Sequence, residues 1–173
     1  MTMRTAEVEL TGMTPGLIST KYTPDDDFTE EYADNKLHRN AEGNVIIPSE
    51  ALEQAMQQVA GSPDIVGKTM KKTEWKKKFM SSVFVTEDLN LNRKDCDEIR
   101  TDKVIRDRGK MVLTHRPWIK EWSAKTTIRF NDGIGLTPKK LKDILIYAGE
   151  RQGLLSYRPK FGRFEVTGFN VLN

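Results

Sequence analysis

The segment 149–164 combines glycine, basic and aromatic residues, and it says more about function than any other part of the chain. It reads Gly-Glu-Arg-Gln-Gly-Leu-Leu-Ser-Tyr-Arg-Pro-Lys-Phe-Gly-Arg-Phe. Arg158, Lys160 and Arg163 suit phosphate groups, and Tyr157, Phe161 and Phe164 offer rings on which bases can stack. Glycine lets a backbone approach a partner closely. This combination predicts a loop that binds single-stranded nucleic acid.

Two other segments, Lys68–Phe79 and His115–Trp122, also interleave basic and aromatic residues. A surface that binds single strands needs these two residue types but no catalytic geometry. The predicted nucleic-acid-binding residues of the three segments are Lys71, Lys72, Trp75, Lys76, Lys77, Arg116, Trp118, Tyr157, Arg158, Lys160 and Arg163.

Each segment also has a purely structural interpretation. In His115–Trp122, core packing is favoured for Trp122, and both interpretations stay open for Trp118. Lys68–Met80 fits an amphipathic helix that buries Met70, Trp75 and Phe79 while its lysines are solvated. The C-terminal loop fits a turn that places Phe161 and Phe164 in the core ahead of the last strand. For Arg158, Lys160 and Arg163 the binding interpretation is favoured, because glycine, basic and aromatic residues coincide at an element boundary.

Charge is distributed unevenly along the 173 residues, although the net charge is only +3. Residues 1–60 hold four basic and eleven acidic residues, a net charge of −7. Residues 61–173 hold 24 basic and 14 acidic residues, a net charge of +10. Such asymmetry favours a polyanionic partner for the basic part, and it also allows head-to-tail association of copies through acidic and basic surfaces.

The sequence predicts no metal site and no cofactor. Cys96 is the only cysteine, His38 and His115 are far apart, and no phosphate-binding glycine motif or Gly-x-Ser-x-Gly elbow is present. Asp25, Asp26 and Asp27 lack the alternating ligands of a calcium loop and fit a solvated acidic turn.

One catalytic alternative stays open, a metal-independent endoribonuclease that uses His38. Such a reaction needs a base near the 2′-hydroxyl and a cation for the phosphorane. Tyr32, Lys36 and Arg39 lie near His38 in the sequence. An exposed histidine in a charged loop is the favoured interpretation.

The hydrophobic pattern predicts an α+β protein. Strands are expected at Arg4–Thr11, Ser82–Thr86, Trp122–Asn131 and Arg163–Phe169, and helices from Ser49 and from Thr137. A further short strand is expected at Lys110–Thr114, ended by Arg116-Pro117-Trp118, and residues 87–110 fit a β-hairpin or an ordered loop. The order strand, helix, strand, strand, helix, strand is the ferredoxin-like, or RRM-like, split βαβ pattern, with an antiparallel sheet and two packing helices.

Three sequence features together resemble the RAMP superfamily of CRISPR systems. Thr11-Gly12-Met13-Thr14-Pro15-Gly16-Leu17 is similar to the start of those proteins after their first strand. Val45-Ile46-Ile47-Pro48-Ser49-Glu50-Ala51-Leu52 is similar to the entry to their first helix, and Gly153–Phe164 to their C-terminal glycine-rich loop. The loop also resembles uncharacterised phage and prophage proteins. The resemblance implies RNA binding and assembly in several copies.

These observations predict one ferredoxin-like domain over residues 1–173, with insertions at about 18–44 and 87–121. No run of about 18 apolar residues and no signal-peptide core is present, so the expected location is the cytoplasm of a bacterial host. The expected function is non-catalytic binding of single-stranded RNA or DNA by a phage or mobile-element protein. It would act as a homo-oligomer or within a ribonucleoprotein or replication complex. A module that inhibits a host defence complex through its acidic part, residues 25–34, is a second alternative.

Overall fold

The computed structural model describes residues 3–21, 30–66 and 71–172. Its strands are β1 (Met3–Gly12), β2 (Leu17–Ile18), β3 (Ile46–Ile47), β4 (Val83–Val85), β5 (Leu89–Asn90), β6 (Glu98–Arg106), β7 (Lys110–Ile119), β8 (Ser123–Asn131) and β9 (Phe164–Val171). Its α-helices are α1 (Ser49–Ala60), α2 (Pro63–Val66), α3 (Lys72–Met80) and α4 (Pro138–Tyr147). Glu30–Lys36, Asp107–Gly109 and Asp132–Ile134 form 3₁₀ turns, and Ala148–Gln152 forms a π-helical turn.

A four-stranded antiparallel sheet with the order β4-β8-β1-β9 forms the centre of the protein. Along β1 the buried residues alternate with more exposed ones, because successive side chains of a strand point to opposite faces. The same alternation in β8 buries Ala124, Thr126, Ile128 and Phe130. All four strands predicted for this sheet are confirmed, and together with the helices they make the protein α+β.

Helices α1 and α4 cover one face of this sheet. Leu52 and Met56 of α1 and Leu141 and Ile144 of α4 are fully buried in the shared core. The predicted start of α4 is confirmed, because Pro138 occupies its first turn and the Thr137 hydroxyl accepts a hydrogen bond from the Lys140 amide at 3.2 Å.

The two predicted insertions meet each other in a second, three-stranded sheet with the order β2-β7-β6. Strands β6 and β7 form one long hairpin, in which Glu98 to Arg106 pair in register with Trp118 to Lys110. The predicted hairpin or loop at 87–110 covers only its first strand and its turn, because the strand predicted at Lys110–Thr114 is the start of β7. Short strand β2 pairs with the other edge of β7, and the 3₁₀ turn Glu30–Lys36 packs on β7. The insertions therefore build one structural unit beside the central sheet.

Strand β7 corrects the predicted interruption at Arg116-Pro117-Trp118, because it continues through these residues to Ile119. Pro117 lacks an amide proton, but the main-chain polar groups of this residue face β2 rather than β6. The Ser19 amide donates to the Pro117 carbonyl at 3.0 Å, while the Trp118 carbonyl accepts from Asp97 at 3.0 Å. Because the Pro117 nitrogen faces β2, the missing proton removes no bond from the β6–β7 ladder. It removes none from the β2–β7 ladder either, since β2 ends at Ile18.

Two sequence predictions fall outside the described residues. The acidic turn at Asp25–Asp27 is one, and the packing of Met70 is the other. Among the described residues, no helix has the length and apolar character needed to cross a bilayer.

Candidate nucleic-acid interface

Main-chain hydrogen bonds hold the loop 153–163. Within the loop, the Leu154 amide donates to the Gly162 carbonyl at 2.9 Å. The Gly162 amide donates to the Gly16 carbonyl at 2.9 Å, and the Ser156 amide donates to the Ile18 carbonyl at 3.1 Å. The loop is therefore fixed to residues 16–18, so two of the segments that resemble RAMP proteins lie against each other.

Gly162 is required by the loop's own folding. Its φ angle is +83°, and a Cβ atom there would overlap the backbone of Leu154. The close backbone approach predicted from the glycines of this segment is thus used at Gly162 inside the protein rather than toward a ligand.

Strand β7 places Arg116 against this loop. The guanidinium carbon of Arg116 lies 4.7 Å from the centre of the Tyr157 ring, and the Thr114 hydroxyl lies 3.4 Å from the Tyr157 hydroxyl. The Arg116 Nε is buried and has no hydrogen-bond partner among the described residues. Two predicted binding residues, which lie some forty positions apart in the chain, are therefore in contact.

Trp118 lies on the same face of β7, one alternation further along the strand. Its indole Nε1 donates to the Pro15 carbonyl at 2.7 Å, and its ring meets Phe161 edge-on at 6.1 Å. The Arg100 guanidinium lies over both rings, 4.9 Å from the centre of Phe161 and 5.7 Å from that of Trp118. Cations and aromatic rings alternate across this face. We call Arg116, Trp118, Tyr157, Arg158 and Lys160 the loop surface.

The cations near the loop surface differ in their pairing. Arg100 donates to Asp102 at 2.8 Å, a bond that raises the pKa of Arg100, and Lys120 pairs with Glu98 at 2.9 Å. By contrast, no carboxylate of the described residues lies within 4 Å of the charged groups of Arg116, Arg158 or Lys160. The loop surface therefore holds three positive charges that are available to an anionic ligand.

An open cavity of about 440 Å³ adjoins the loop surface. Its lining includes Arg151, Ser156, Tyr157 and Arg158, so donors and one aromatic ring face a common space. Arg151 is held in place, because it donates to Asp64 at 3.1 Å and its guanidinium lies 4.0 Å over the Tyr147 ring. A cavity of this size and polarity can receive a phosphate with part of its nucleotide.

Other predicted residues of this loop support its structure. Phe161 and Phe164 are buried, so the predicted stacking of bases on these two rings is wrong and the packing alternative describes them. Arg163 is half-buried, and its Nε donates to the Glu150 carbonyl at 3.0 Å. Arg163 is thus partly committed to the turn that precedes it.

Helix α3 buries its aromatic residues, whereas base stacking requires exposed rings. Trp75, a predicted binding residue, is only 1% exposed and packs in the core, so its ring offers no face to a base. The structure therefore agrees with the alternative of an amphipathic helix for Trp75 and Phe79. These two residues lie about one turn apart on the face of α3 that packs against the core. Lys71, Lys72 and Lys77 are exposed on the same helix and Lys76 is half-buried.

Two of the three residues proposed to assist His38 in catalysis, Lys36 and Arg39, are otherwise engaged, whereas Tyr32 is exposed. Lys36 is only 3% exposed, and its Nζ donates to the His115 carbonyl at 3.0 Å. Arg39 pairs with Asp34 at 2.9 Å. Burial lowers the pKa of His38, partly offset by a hydrogen bond with the Thr20 backbone. Among the described residues, no group of three or more His, Cys, Asp or Glu side chains is arranged to hold a metal ion.

Sequence reasoning missed Arg100, Lys120 and Arg151, which border the loop surface and its cavity. Arg100 lies directly opposite Arg116 in the β6–β7 register, and that register is fixed by the hairpin rather than by any local pattern. The weak signal available was the charged series Glu98, Arg100 and Asp102 at every second position, which places these side chains on one face of a strand.

Comparisons with known proteins identify a shared fold. No protein-family model matches the chain, and no curated protein matches it. A solved chain from the cryo-EM structure of the type III-B Cmr-beta complex bound to cognate target RNA is similar, with a TM-score of 0.62 and 13% identity. The alignment covers 98% of this chain but only 60% of that chain. At this identity the similarity concerns the fold.

Proposed function

We propose that this protein binds single-stranded nucleic acid through the loop surface and does not cleave it. The observation that carries the proposal is the contact of Arg116 and Trp118 from β7 with Tyr157 and Phe161 of the loop that also carries the exposed Arg158 and Lys160. Two sequence segments that separately have the composition of a strand-binding surface thus form one surface.

The chemistry of binding follows from the charges and rings of this surface. Arg116, Arg158 and Lys160 neutralise phosphates and release counterions, so affinity falls as salt rises. Tyr157 and Trp118 supply rings near those charges, and a guanidinium plane such as that of Arg116 can itself stack on a base. A single strand can present phosphates and unstacked bases together, which a duplex cannot.

The fold comparison supports a more specific assignment, a RAMP-like protein with a single ferredoxin-like domain over residues 1–173. The four strands of the split βαβ pattern are, in chain order, β1, β4, β8 and β9. If they are numbered 1 to 4, their order across the sheet is 2-3-1-4, which agrees with a ferredoxin-like sheet. The solved neighbour belongs to a complex bound to target RNA. We propose RNA or single-stranded DNA as ligand, and several copies along a strand or membership of a ribonucleoprotein or replication complex. A phage or mobile-element origin and a bacterial cytoplasmic location complete the proposal.

The test measures binding of labelled single-stranded RNA, single-stranded DNA and duplex at about 50 and 200 mM salt. Wild-type protein is compared with Arg158→Gln/Lys160→Gln. The double variant should bind single strands at least about tenfold more weakly, and the slope of log affinity against log salt should fall by about 1.4, that is, 0.7 for each phosphate contact.

Lys94→Gln/Lys139→Gln is the matched control, because it also removes two charges. Lys139 already pairs with Asp143 at 3.0 Å, and the Lys94 Nζ donates to the Glu42 carbonyl at 2.6 Å. Absence of single-strand binding at low salt, or equal loss in the control and in the double variant, would contradict the proposal.

The non-catalytic part is tested separately with His38→Ala. Incubation of wild-type protein with RNA and a chelator should leave the RNA intact. Cleavage that disappears in His38→Ala would instead establish the endoribonuclease alternative. The acidic alternative predicts capture of a protein partner that depends on residues 25–34, part of which lies outside the described residues.

A further inference from the structure

Helix α3 carries a second positive surface that the loop surface does not include. Lys71, Lys72, Lys77 and Lys78 are exposed and Lys76 is half-buried. No carboxylate of the described residues lies within 4 Å of the ammonium group of any of these lysines. Five lysines therefore lie on or beside one nine-residue helix, against a single carboxylate of that helix, Glu74 in its first turn.

Helix α4 extends this surface with one further cation. The Lys140 Nζ lies 5.8 Å from the centre of the Trp75 ring, which places it beside α3. Its neighbour Lys139 is instead compensated by Asp143. We call Lys71, Lys72, Lys76, Lys77, Lys78 and Lys140 the helix-layer lysine surface.

The chemistry of this surface differs from that of the loop surface, because the aromatic residues of α3 are buried. Trp75 and Phe79 are both 1% exposed, so neither can stack on a base. Lysine ammonium groups are compact point charges that neutralise phosphates but read no base. Duplex nucleic acid fits such a surface, because its bases are stacked inside the double helix and its phosphates are exposed to the lysines.

The dimensions also fit a duplex. Nine helical residues span about 13 Å, and a duplex carries one phosphate charge about every 1.7 Å of its axis. A duplex that lies along α3 therefore presents several phosphates to the lysines on the side of the helix that it contacts, and no sequence-specific contact is needed.

We propose that the helix-layer lysine surface binds the phosphate backbone of duplex nucleic acid, as a second ligand site separate from the loop surface. The two sites are built on different elements, since α3 packs on α1 whereas the loop packs on β7. One protein could thus hold a single strand and a neighbouring duplex.

The experiment measures binding of a blunt 20-base-pair DNA duplex and of a 20-nucleotide single strand to the full chain. Lys76→Gln/Lys77→Gln/Lys140→Gln should bind the duplex at least about tenfold more weakly, and the salt slope should fall by about 2.7 for three lost phosphate contacts. Its affinity for the single strand should stay within about twofold of wild type, because the loop surface is intact.

The matched control Lys94→Gln/Lys103→Gln/Lys125→Gln removes the same net charge from exposed positions outside α3 and α4 and should leave duplex binding within about threefold of wild type. Thermal melting of each variant verifies that it is folded. Unchanged duplex binding in the α3 variant, or parallel loss of duplex and single-strand binding, would overturn the proposal.

Two further outcomes are decisive. In the first, wild-type protein does not bind the duplex but binds polyglutamate through these lysines. This result would indicate an acidic protein as the ligand of the surface and would overturn the duplex proposal. In the second, the protein binds the duplex through the α3 lysines but does not bind the single strand. This result would contradict the proposed function and leave the duplex proposal standing.

Discussion

The loop surface and the helix-layer lysine surface are both positive, but they treat their aromatic residues in opposite ways. On the loop surface, Tyr157 and Trp118 remain partly exposed beside arginines. On α3, Trp75 and Phe79 are buried and only the lysines reach solvent. The sequence composition of the two segments is similar, so the difference comes from which face each element turns to the core.

This difference shows that interleaved basic and aromatic residues do not by themselves define a base-stacking surface. A helix with apolar residues four positions apart buries them together. A loop fixed by its own backbone can instead leave a ring at its rim, as at Tyr157. Four substitutions test how the two surfaces are built, and they are given in decreasing order of expected effect.

Replacing Trp75 tests whether its ring serves the core alone. Trp75→Ala should lower the free energy of unfolding by about 3–5 kcal/mol, because it leaves a large cavity. Trp75→Phe should cost less than about 2 kcal/mol, since it also removes a buried indole N–H that has no partner among the described residues. Urea unfolding measures both. Weaker single-strand binding by folded, stable Trp75→Phe would contradict the assignment of Trp75 to the core.

Replacing Gly162 tests whether the loop surface depends on its backbone frame. Gly162→Ala should destabilise the protein by about 3 kcal/mol, because a Cβ atom overlaps Leu154 and φ is positive. Gly135→Ala is the control: its φ is +86°, but nothing lies within 4 Å of the added Cβ, so we expect a loss of about 1–2 kcal/mol. Equal melting temperatures for the two variants would contradict the proposed role of Gly162.

Replacing Trp118 tests stacking on the loop surface. Trp118→Leu should weaken single-strand binding by about 1–3 kcal/mol, the usual contribution of one base–aromatic stack. Duplex binding should be unaffected. Fluorescence anisotropy with both ligands gives the two affinities, and melting accounts for the lost indole bond to Pro15. Equal weakening for both ligands would show that the surfaces are not separate.

Replacing Asp97 probes its ion pair with Arg93, at 2.8 Å, and should have the smallest effect. Hydrogen bonds from the Arg93 side chain and the Lys120 amide lower the pKa of Asp97 from its ordinary value of 3.8. Its stabilising contribution is therefore complete above about pH 4 and is lost as the pH falls through the lowered, folded-state pKa. The carboxylate is largely exposed, so Asp97→Asn should cost only about 0.5 kcal/mol at neutral pH, and the difference from wild type should shrink in acid. A constant difference at every pH would contradict this explanation.

Local sequence patterns were sufficient for the central sheet and its helices. The alternation in β1 and β8, and the Thr137-Pro138 start of α4, are properties of adjacent residues, so they could be predicted. The full length of β7 could not, because Pro117 is tolerated only through the pairing of β7 with β2 and β6.

The candidate site was partly predictable for the same reason. The chemistry of Arg116, Trp118, Tyr157 and Arg158 could be predicted from residue type, but their proximity depends on contacts between distant segments. Arg100 was missed because its position opposite Arg116 depends on hairpin register. The burial of Trp75 was one of two stated alternatives, and only the packing of α3 on α1 distinguishes them.

The backbone hydrogen bonds of the loop 153–163 have a practical consequence. Because the loop is fixed through main-chain atoms of Leu154, Ser156 and Gly162, the exposed side chains at 158 and 160 contribute little to its shape. These two positions can therefore be randomised in a library, as the tips of antibody loops are, while the scaffold stays unchanged. Selection from such a library would yield variants with altered ligand preference.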